Sequence, residues 1–382
     1  MSSRRSDITL LINSMGEGGA QRVVLTLAKQ FIKEGKTVTL LSLGKNDLYE
    51  LPSEVQRVYF SDKQKDSMFL IPYYAWKLKS YVKESGVTVV QSYLFRANFV
   101  NIFAKILGSK QTVQVSNRSV VSRFLKEGLS GKINLLLIKL LYGKADLIMY
   151  VSERMKLDFH EQFNIRKDEV VIYNPYDIEK VLIQAKEEVK GFTFNPDSRY
   201  LVTVGRLISL KRFEDVISAM KELPTDVELL LLGDGNEREQ LELLSVEYGL
   251  EKRVHFLGQV KNPYQYISRS DVFVSSSSVE GFPNVLLESM ICKTPIVSSD
   301  CVSGPREILA PSTDSSTQLK NGLEKADYGL LYAVADVSAL SDGINLLLDN
   351  SELREAYIEK ASARAEFFSV EKIAQQYQVL FE

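Results

Sequence analysis

Two glutamates, Glu280 and Glu288, stand with seven residues between them in the run VFVSSSSVEGFPNVLLESMI, residues 272–291. The run reads as an apolar strand, a serine-rich loop and a helix whose first position is Pro283. Proline is tolerated there because its missing N–H would have had no intrahelical partner. The N–H groups that follow point out of the helix end, beside the positive end of its dipole, and together they make an anion site. Carboxylates on either side of such a site do not bind the anion. They suit the hydroxyl groups attached to it. A phosphate flanked by polyols describes a nucleotide sugar.

Two further turns offer phosphate chemistry. Val204-Gly205-Arg206 leaves a strand, and Lys211 follows five residues after the arginine, so two cations stand at a strand end. Near the N-terminus, Ile8–Asn13 runs into a glycine turn, Gly16 to Gly19, and then a helix, Val23–Glu34. Glycine lets a backbone approach a phosphate closely. The turn is neither a dinucleotide fingerprint, since Gln21 stands where the third glycine belongs, nor a P-loop. By itself it is equally an ordinary tight turn.

Together these segments resemble the retaining glycosyltransferases of family 4, over about residues 8–382 and most specifically over 200–310. The resemblance implies that Glu280 sits by the donor sugar and that Glu288 holds the ribose hydroxyls. It implies that Arg206 and Lys211 clamp the diphosphate, so Glu280, Arg206 and Lys211 are the expected catalytic residues. Gly18 and Gly19 meet the phosphates on the same grounds. Val260 lies where the base is seated, and Gly281, Phe282, Pro283, Asn284 and Val285 line the donor site. Ser303–Glu307 opens another helix that could approach the donor. Many members carry a histidine after the strand here read as Thr112–Val115, and this chain has Ser116-Asn117-Arg118 instead. Asn117 or Arg118 could donate in its place, and Ser92 and Arg96 could face the acceptor. None is a conventional base, arginine staying protonated, which suits a front-face retaining mechanism.

No Asp-x-Asp occurs anywhere in the chain. Arg206, Lys211 and a helix N-terminus can neutralise a diphosphate, so no metal and no cofactor is expected. The only histidines, His160 and His255, and the only cysteines, Cys292 and Cys301, have no metal-ligand spacing. They point to a reducing, cytoplasmic compartment.

Apolar runs alternate with amphipathic helical runs through all 382 residues, too many for one core. The fold class expected is α/β. Strands at Ile8–Asn13, Thr37–Leu43, Thr88–Gln91, Thr112–Val115 and Leu147–Val151 make one sheet. Those at Tyr200–Val204, Glu228–Leu232, Val254–Leu257, Val272–Ser275, Pro295–Ser298 and Gly329–Tyr332 make a second. The resemblance implies two facing Rossmann-like domains with a cleft between them, the GT-B fold. The expected division is 1–185, an acceptor and membrane-facing domain; 186–366, the donor domain; and 367–382, a terminal helix crossing back to the first.

Charge is uneven. Residues 1–150 hold 22 lysines and arginines against 11 aspartates and glutamates, and the remainder hold 25 against 38. The first half therefore faces something anionic. The cations lack the recognition-helix pattern or stacking aromatics that nucleic acid requires. Residues 118–144 interleave cations with apolar helical positions, which fits an anionic membrane surface or, equally, an ordinary amphipathic helix. No stretch is long enough to span a bilayer.

The expectation drawn from these features is a retaining, metal-independent transferase working from a nucleotide sugar, UDP-linked, peripheral on the inner membrane face. Its acceptor would be a lipid-diphosphate-linked saccharide of bacterial surface polysaccharide assembly. A nucleotide-sugar epimerase of the same fold and a non-catalytic nucleotide-sugar binding protein are the alternatives.

Overall fold

The computed structural model describes residues 6–16, 18–62 and 67–382. It divides into two compact units, one of residues up to Tyr176 with Phe368–Glu382, the other Asp177–Phe367.

The first unit runs β1 (Ile8–Ile12), α1 (Gly19–Lys33), β2 (Val38–Ser42), β3 (Gln56–Tyr59), α2 (Ile71–Ser85), β4 (Val89–Tyr93) and α3 (Phe95–Ile106). It continues through β5 (Thr112–Ser116), α4 (Gly128–Leu141), β6 (Leu147–Tyr150), α5 (Glu153–Gln162) and β7 (Asp168–Val171). The seven strands lie in the order β3-β2-β1-β4-β5-β6-β7, all parallel. A parallel sheet is covered on both faces, so its central strands are continuously apolar. β1, ITLLI, is buried at all five positions. α1 brings Val23, Val24, Leu27, Ala28 and Phe31 onto the sheet at helical spacing.

The second unit runs α6 (Ile178–Ala185), β8 (Arg199–Val204), α7 (Phe213–Ala219), β9 (Val227–Leu232), α8 (Arg238–Glu247), β10 (Val254–Gly258) and α9 (Tyr264–Ile267). β11 (Val272–Ser275), α10 (Asn284–Ile291), β12 (Ile296–Ser299), α11 (Pro305–Leu309), β13 (Leu323–Lys325), β14 (Leu330–Tyr332), α12 (Val337–Asp349) and α13 (Ser351–Ala365) follow. The order β10-β9-β8-β11-β12-β14-β13 repeats the winding of the first sheet, with β13 antiparallel at the edge. Both units are Rossmann-like: in each, strand order reverses beside the first strand, where such sheets bind ligands at their carboxyl ends.

The division falls at Tyr176, not at the expected residue 185. α6 overlaps a charged run of the sequence, Glu179–Lys190, yet it packs on α9 and α10 of the second unit. Asn262 donates to the Gln184 carbonyl at 2.8 Å, and the Ser268 hydroxyl to that of Ala185 at 3.0 Å. The last helix, α14 (Val370–Gln378), belongs to the first unit and lays Ile373, Ala374 and Tyr377 against α1. The exit and return of the chain are joined there. Tyr176 N–H donates to Phe368 O and Val370 N–H to Tyr176 O, each at 2.8 Å.

Candidate active site

The second unit brings Lys211 and Glu280 together. Lys211 follows β8 and Glu280 follows β11, strands that pair directly, and the lysine ammonium donates to Glu280 Oε1. Both side chains are largely covered, 22% and 14% exposed. Four consecutive serines, Ser275–Ser278, are the device that aligns them. Ser276 Oγ donates to the Lys211 carbonyl at 2.7 Å, Ser278 N–H to the Leu210 carbonyl at 2.8 Å, and Ser277 Oγ to Glu280 Oε1 at 2.7 Å. The serine run therefore holds the β8 loop by its carbonyls, through hydroxyl and N–H donors, and aims the glutamate with the Ser277 hydroxyl. The sequence displayed this run, but nothing in its spacing assigned it a role.

A second loop steadies the first from the other side. Glu280 N–H donates to Val302 O at 3.2 Å, and Ser303 Oγ to Gly281 O at 2.6 Å. Gly304, with φ of +96°, packs so tightly that a Cβ there would lie 2.2 Å from Pro283 Cδ. Only glycine fits.

Pro283 is the cap residue of α10 and the helix begins at Asn284, one position later than the sequence suggests. α5, α6, α12 and α13 each close their first turn with a capping Ser, Asp or Asn side chain; α10 and α1, like the remaining helices, do not. Within the first turn of α10, Leu286 N–H bonds back to Pro283 O at 3.0 Å. Gly281, Asn284 and Val285 are half-buried at this end, and Phe282 is buried. Glu288 lies deeper in α10, 1% exposed. Its charge and burial push the Cys292 thiol up to about 12, burial being the larger cause. Burial also raises Cys301, next to which the Glu280 charge and the opposing Lys211 charge act. Both thiols are inert, as expected of buried cysteines.

Arg206 is exposed just past β8, and its side chain makes no hydrogen bond or ion pair among the described residues. Its neighbour Gly205 receives the Lys211 stem: a Cβ would meet Lys211 Cε at 3.4 Å. Val260, past β10, is half-buried. Arg306, within the Ser303–Glu307 segment that could approach the donor, makes structural bonds. It bonds Asp300 at 2.6 Å and Glu324 at 2.9 Å, is 7% exposed, and thereby ties the excursion before β13 to the end of β12.

In the first unit, Gly18 caps α1 with φ of 152° and ψ of 162°, and Gly18 and Gly19 are exposed where β1 ends. Arg96 is the second residue of α3 and half-buried. Two expected acceptor contacts face inward. Ser92 is fully buried at the end of β4, its hydroxyl donating to Gln114 O at 3.1 Å and accepting from Asn101 at 3.3 Å. Asn117 is 1% exposed and accepts from the Tyr142 hydroxyl at 2.9 Å. Both side chains bond within the interior of the unit. Arg118 donates to Asn174 Oδ1 at 2.5 Å and lies over the Tyr93 ring at 5.7 Å. A cavity of about 410 Å³ lies between Ser6–Ile8, Val87–Val89 and the chain end, at the amino-terminal edge of the sheet. That is the wrong end for a ligand of a doubly wound sheet.

Residues 184–364 match the family model described as glycosyl transferases group 1, and residues 17–180 match glycosyltransferase family 4. The chain is 32% identical, over 96% of both sequences, to the Campylobacter jejuni N-acetylgalactosamine-N,N'-diacetylbacillosaminyl-diphospho-undecaprenol 4-alpha-N-acetylgalactosaminyltransferase. This chain belongs to glycosyltransferase family 4. It is a glycosyltransferase, and its two Rossmann-like units are those of the GT-B fold. Sucrose-phosphate synthase from Thermosynechococcus elongatus superposes with a TM-score of 0.79 at 20% identity. Anabaena HepE in complex with UDP superposes at 0.74 and 20%. Each covers 98% of both chains.

Proposed function

We propose that this glycosyltransferase is retaining and metal-independent, and moves a hexosyl or N-acetylhexosaminyl group from a UDP-sugar to a lipid-diphosphate-linked saccharide. The observation that carries the reading is the Lys211–Glu280 pair, fixed by the serine run beside the uncapped start of α10. As the sugar–phosphate bond breaks, charge collects on the leaving diphosphate. Lys211, Arg206 and the α10 N–H groups are cations and dipoles already aimed at that charge, which is where preorganised groups act most strongly. They do the work otherwise given to a metal bridging carboxylates to phosphate. Glu280, its Oε1 held by Ser277 and Lys211, faces the sugar, and Glu288 holds the ribose. The leaving phosphate oxygen takes the proton of the acceptor hydroxyl, which attacks from the face the phosphate vacates, so the configuration is kept.

The acceptor class draws on the Campylobacter relative, whose name specifies a diphospho-undecaprenol saccharide and an alpha linkage. UDP as carrier draws on the HepE complex. Arg96 and Arg118 are the remaining candidates for the acceptor side. A peripheral position on an anionic inner membrane surface follows from a lipid-linked acceptor, and no helix among the described residues is long and apolar enough to cross a membrane.

The test is UDP release over a panel of UDP-sugars, with an undecaprenyl-diphosphate saccharide and EDTA, for the native protein and Glu280→Gln. Release with one donor, unaffected by EDTA and lost in the variant, with an alpha-linked product by NMR, supports the reading. Loss of activity on chelation, or a beta-linked product from an alpha-linked donor, overturns it.

A further inference from the structure

The surface of the first unit carries more apolar area than a solvated domain needs. On α2, Phe69 just before the helix is 94% exposed, and Tyr73 and Trp76 follow at spacings of four and three, 46% and 58% exposed. They line the side opposite Ile71, Tyr74, Ala75 and Leu78, which face the core. α4 repeats the pattern more strongly. Leu129, Ile133, Leu136 and Leu140 form an outward stripe, 42% to 74% exposed, while Gly131, Ile138 and Leu141 are the buried positions. Contiguous exposed apolar surface of this kind marks an interaction site.

Topology puts the two stripes on one face. The crossovers β3–α2–β4, β4–α3–β5 and β5–α4–β6 all advance the same way across the sheet, so right-handedness places α2, α3 and α4 on the same side. α3 packs against both α2 and α4. Helices in such crossovers run antiparallel to the strands. The starts of α2 and α4, with Phe69, Tyr73, Leu129 and Ile133, therefore lie toward the carboxyl ends of the strands, as do Gly18, Gly19 and the start of α3.

The rim of the face decides what covers it. Arg123, Lys126, Lys132, Lys139 and Lys144 surround the α4 stripe and are all exposed. The single carboxylate in residues 118–145 is Glu127, already paired with Arg123 at 3.0 Å. A second copy of this chain would set lysines against lysines. An anionic bilayer supplies the opposite charge, an acyl layer for the leucines, and an interface where tryptophan and tyrosine concentrate.

We propose that the outward faces of α2 and α4 dock together on an anionic lipid bilayer, seating Trp76 and the α4 leucines at the headgroup boundary. The inference deepens the lipid-linked-acceptor reading and rests on it. It places the bilayer beside the edge of the sheet where ligands bind, so that a diphosphate-anchored saccharide enters from the membrane without leaving it.

Trp76 is the chain's single tryptophan, so its emission reports the contact directly. The full-length protein is mixed with phosphatidylglycerol–phosphatidylcholine vesicles or with phosphatidylcholine alone, and followed by co-sedimentation and by tryptophan emission. Expected are co-sedimentation with the anionic vesicles only, a blue shift on binding, and quenching by brominated acyl chains. The double variant Leu129→Gln/Ile133→Gln should bind about 100-fold more weakly, taking roughly tenfold per lost apolar side chain, and should still hydrolyse donor in solution. Co-sedimentation without any change in Trp76 emission overturns the two-helix face. So do absence of vesicle binding, equal binding to neutral vesicles, or a wild-type dimer that the double variant dissociates in sedimentation velocity. Vesicle binding is read without the transfer reaction, so a protein that docks but releases no UDP would sink the functional reading and leave this one standing.

Discussion

Gly304→Ala tests whether the loop after β12 sets the active-site geometry or merely lies near it. Gly304 adopts φ of +96° and ψ of −56°, a conformation that costs a side-chain-bearing residue about 1–3 kcal/mol. The added methyl would lie 2.2 Å from Pro283 Cδ and 3.2 Å from Phe282 Cα, so those residues must shift. Overpacking of this sort costs about 1–3 kcal/mol more. For a unit of the size of Asp177–Phe367, a total of about 4 kcal/mol corresponds to a fall of roughly 8–16 °C in melting temperature. The displaced residues are the cap of α10 and its predecessor, two positions beyond Glu280, so donor KM should rise along with the loss of stability. Gly322→Ala is the control. Gly322 also has a positive φ, +76°, but its Cβ would meet nothing within 4 Å, so only backbone strain of about 1–2 kcal/mol applies and donor KM should not move. Calorimetry and UDP-release kinetics on the two variants separate the effects. Wild-type donor KM in Gly304→Ala, or the same melting shift in both variants, would refute the coupling.

Three other outcomes follow from the second unit. Lys211→Met should lower kcat about 100- to 1,000-fold, the scale of removing one preorganised donor from a developing oxyanion, and circular dichroism should show the fold retained. Arg306→Met should act on stability instead: stranding Asp300, 1% exposed, without its cation costs about 3–5 kcal/mol, read as a lowered urea midpoint with unchanged donor KM in the folded fraction. The pH dependence should turn on the thiols. Cys292 rises from its usual 9.0 to about 12 in the folded protein, and Cys301 is also raised. Above pH 9 the unfolded chain releases these protons first and is favoured, so stability is intact below pH 9 and falls toward pH 12, by about 1.4 kcal/mol per unit for each thiol. The urea midpoint at pH 8 and pH 10, compared with that of a Cys292→Ala/Cys301→Ser variant, checks the slope.

The interior strands were legible because a parallel sheet buries them on both faces, leaving runs such as VELLLL in β9 and VFVS in β11 with few other readings. Three of the four edge strands were not; β10 was the exception. QRVY in β3, DEVV in β7 and LEK in β13 carry charges at exposed or half-buried positions, and their pairing depends on a neighbour already in place. α6 failed to register for a related reason: it buries only Val181 and Ala185, and its remaining contacts are backbone carbonyls that no side-chain pattern announces.

Spacing was most informative where a chemical group must leave a strand end in a fixed direction. The glycine before Arg206 marks a strand exit and the proline before α10 a helix start, so those turns could be located from residue type alone. Polar residues at neighbouring strand ends follow another logic. Ser92 and Ser277 both follow an apolar strand segment, yet Ser92 turns into the layer between β4, β5 and α3, while Ser277 turns toward Glu280. The difference is register: one residue of shift along a strand reverses the face to which a side chain points. Asn117 shows the same ambiguity, since its amide meets Tyr142 from α4's end of the layer rather than a ligand. Arg306 and Lys211 extend it to charge. Both follow a strand, Arg306 in the first turn of α11 and Lys211 in the loop after β8, but the cation of Arg306 meets Asp300 and Glu324 within the interior, whereas that of Lys211 meets Glu280, the carboxylate proposed to face the sugar. What separates the proposed binding cation from the structural one is therefore the partner it faces, and that partner lies 69 positions away for Lys211.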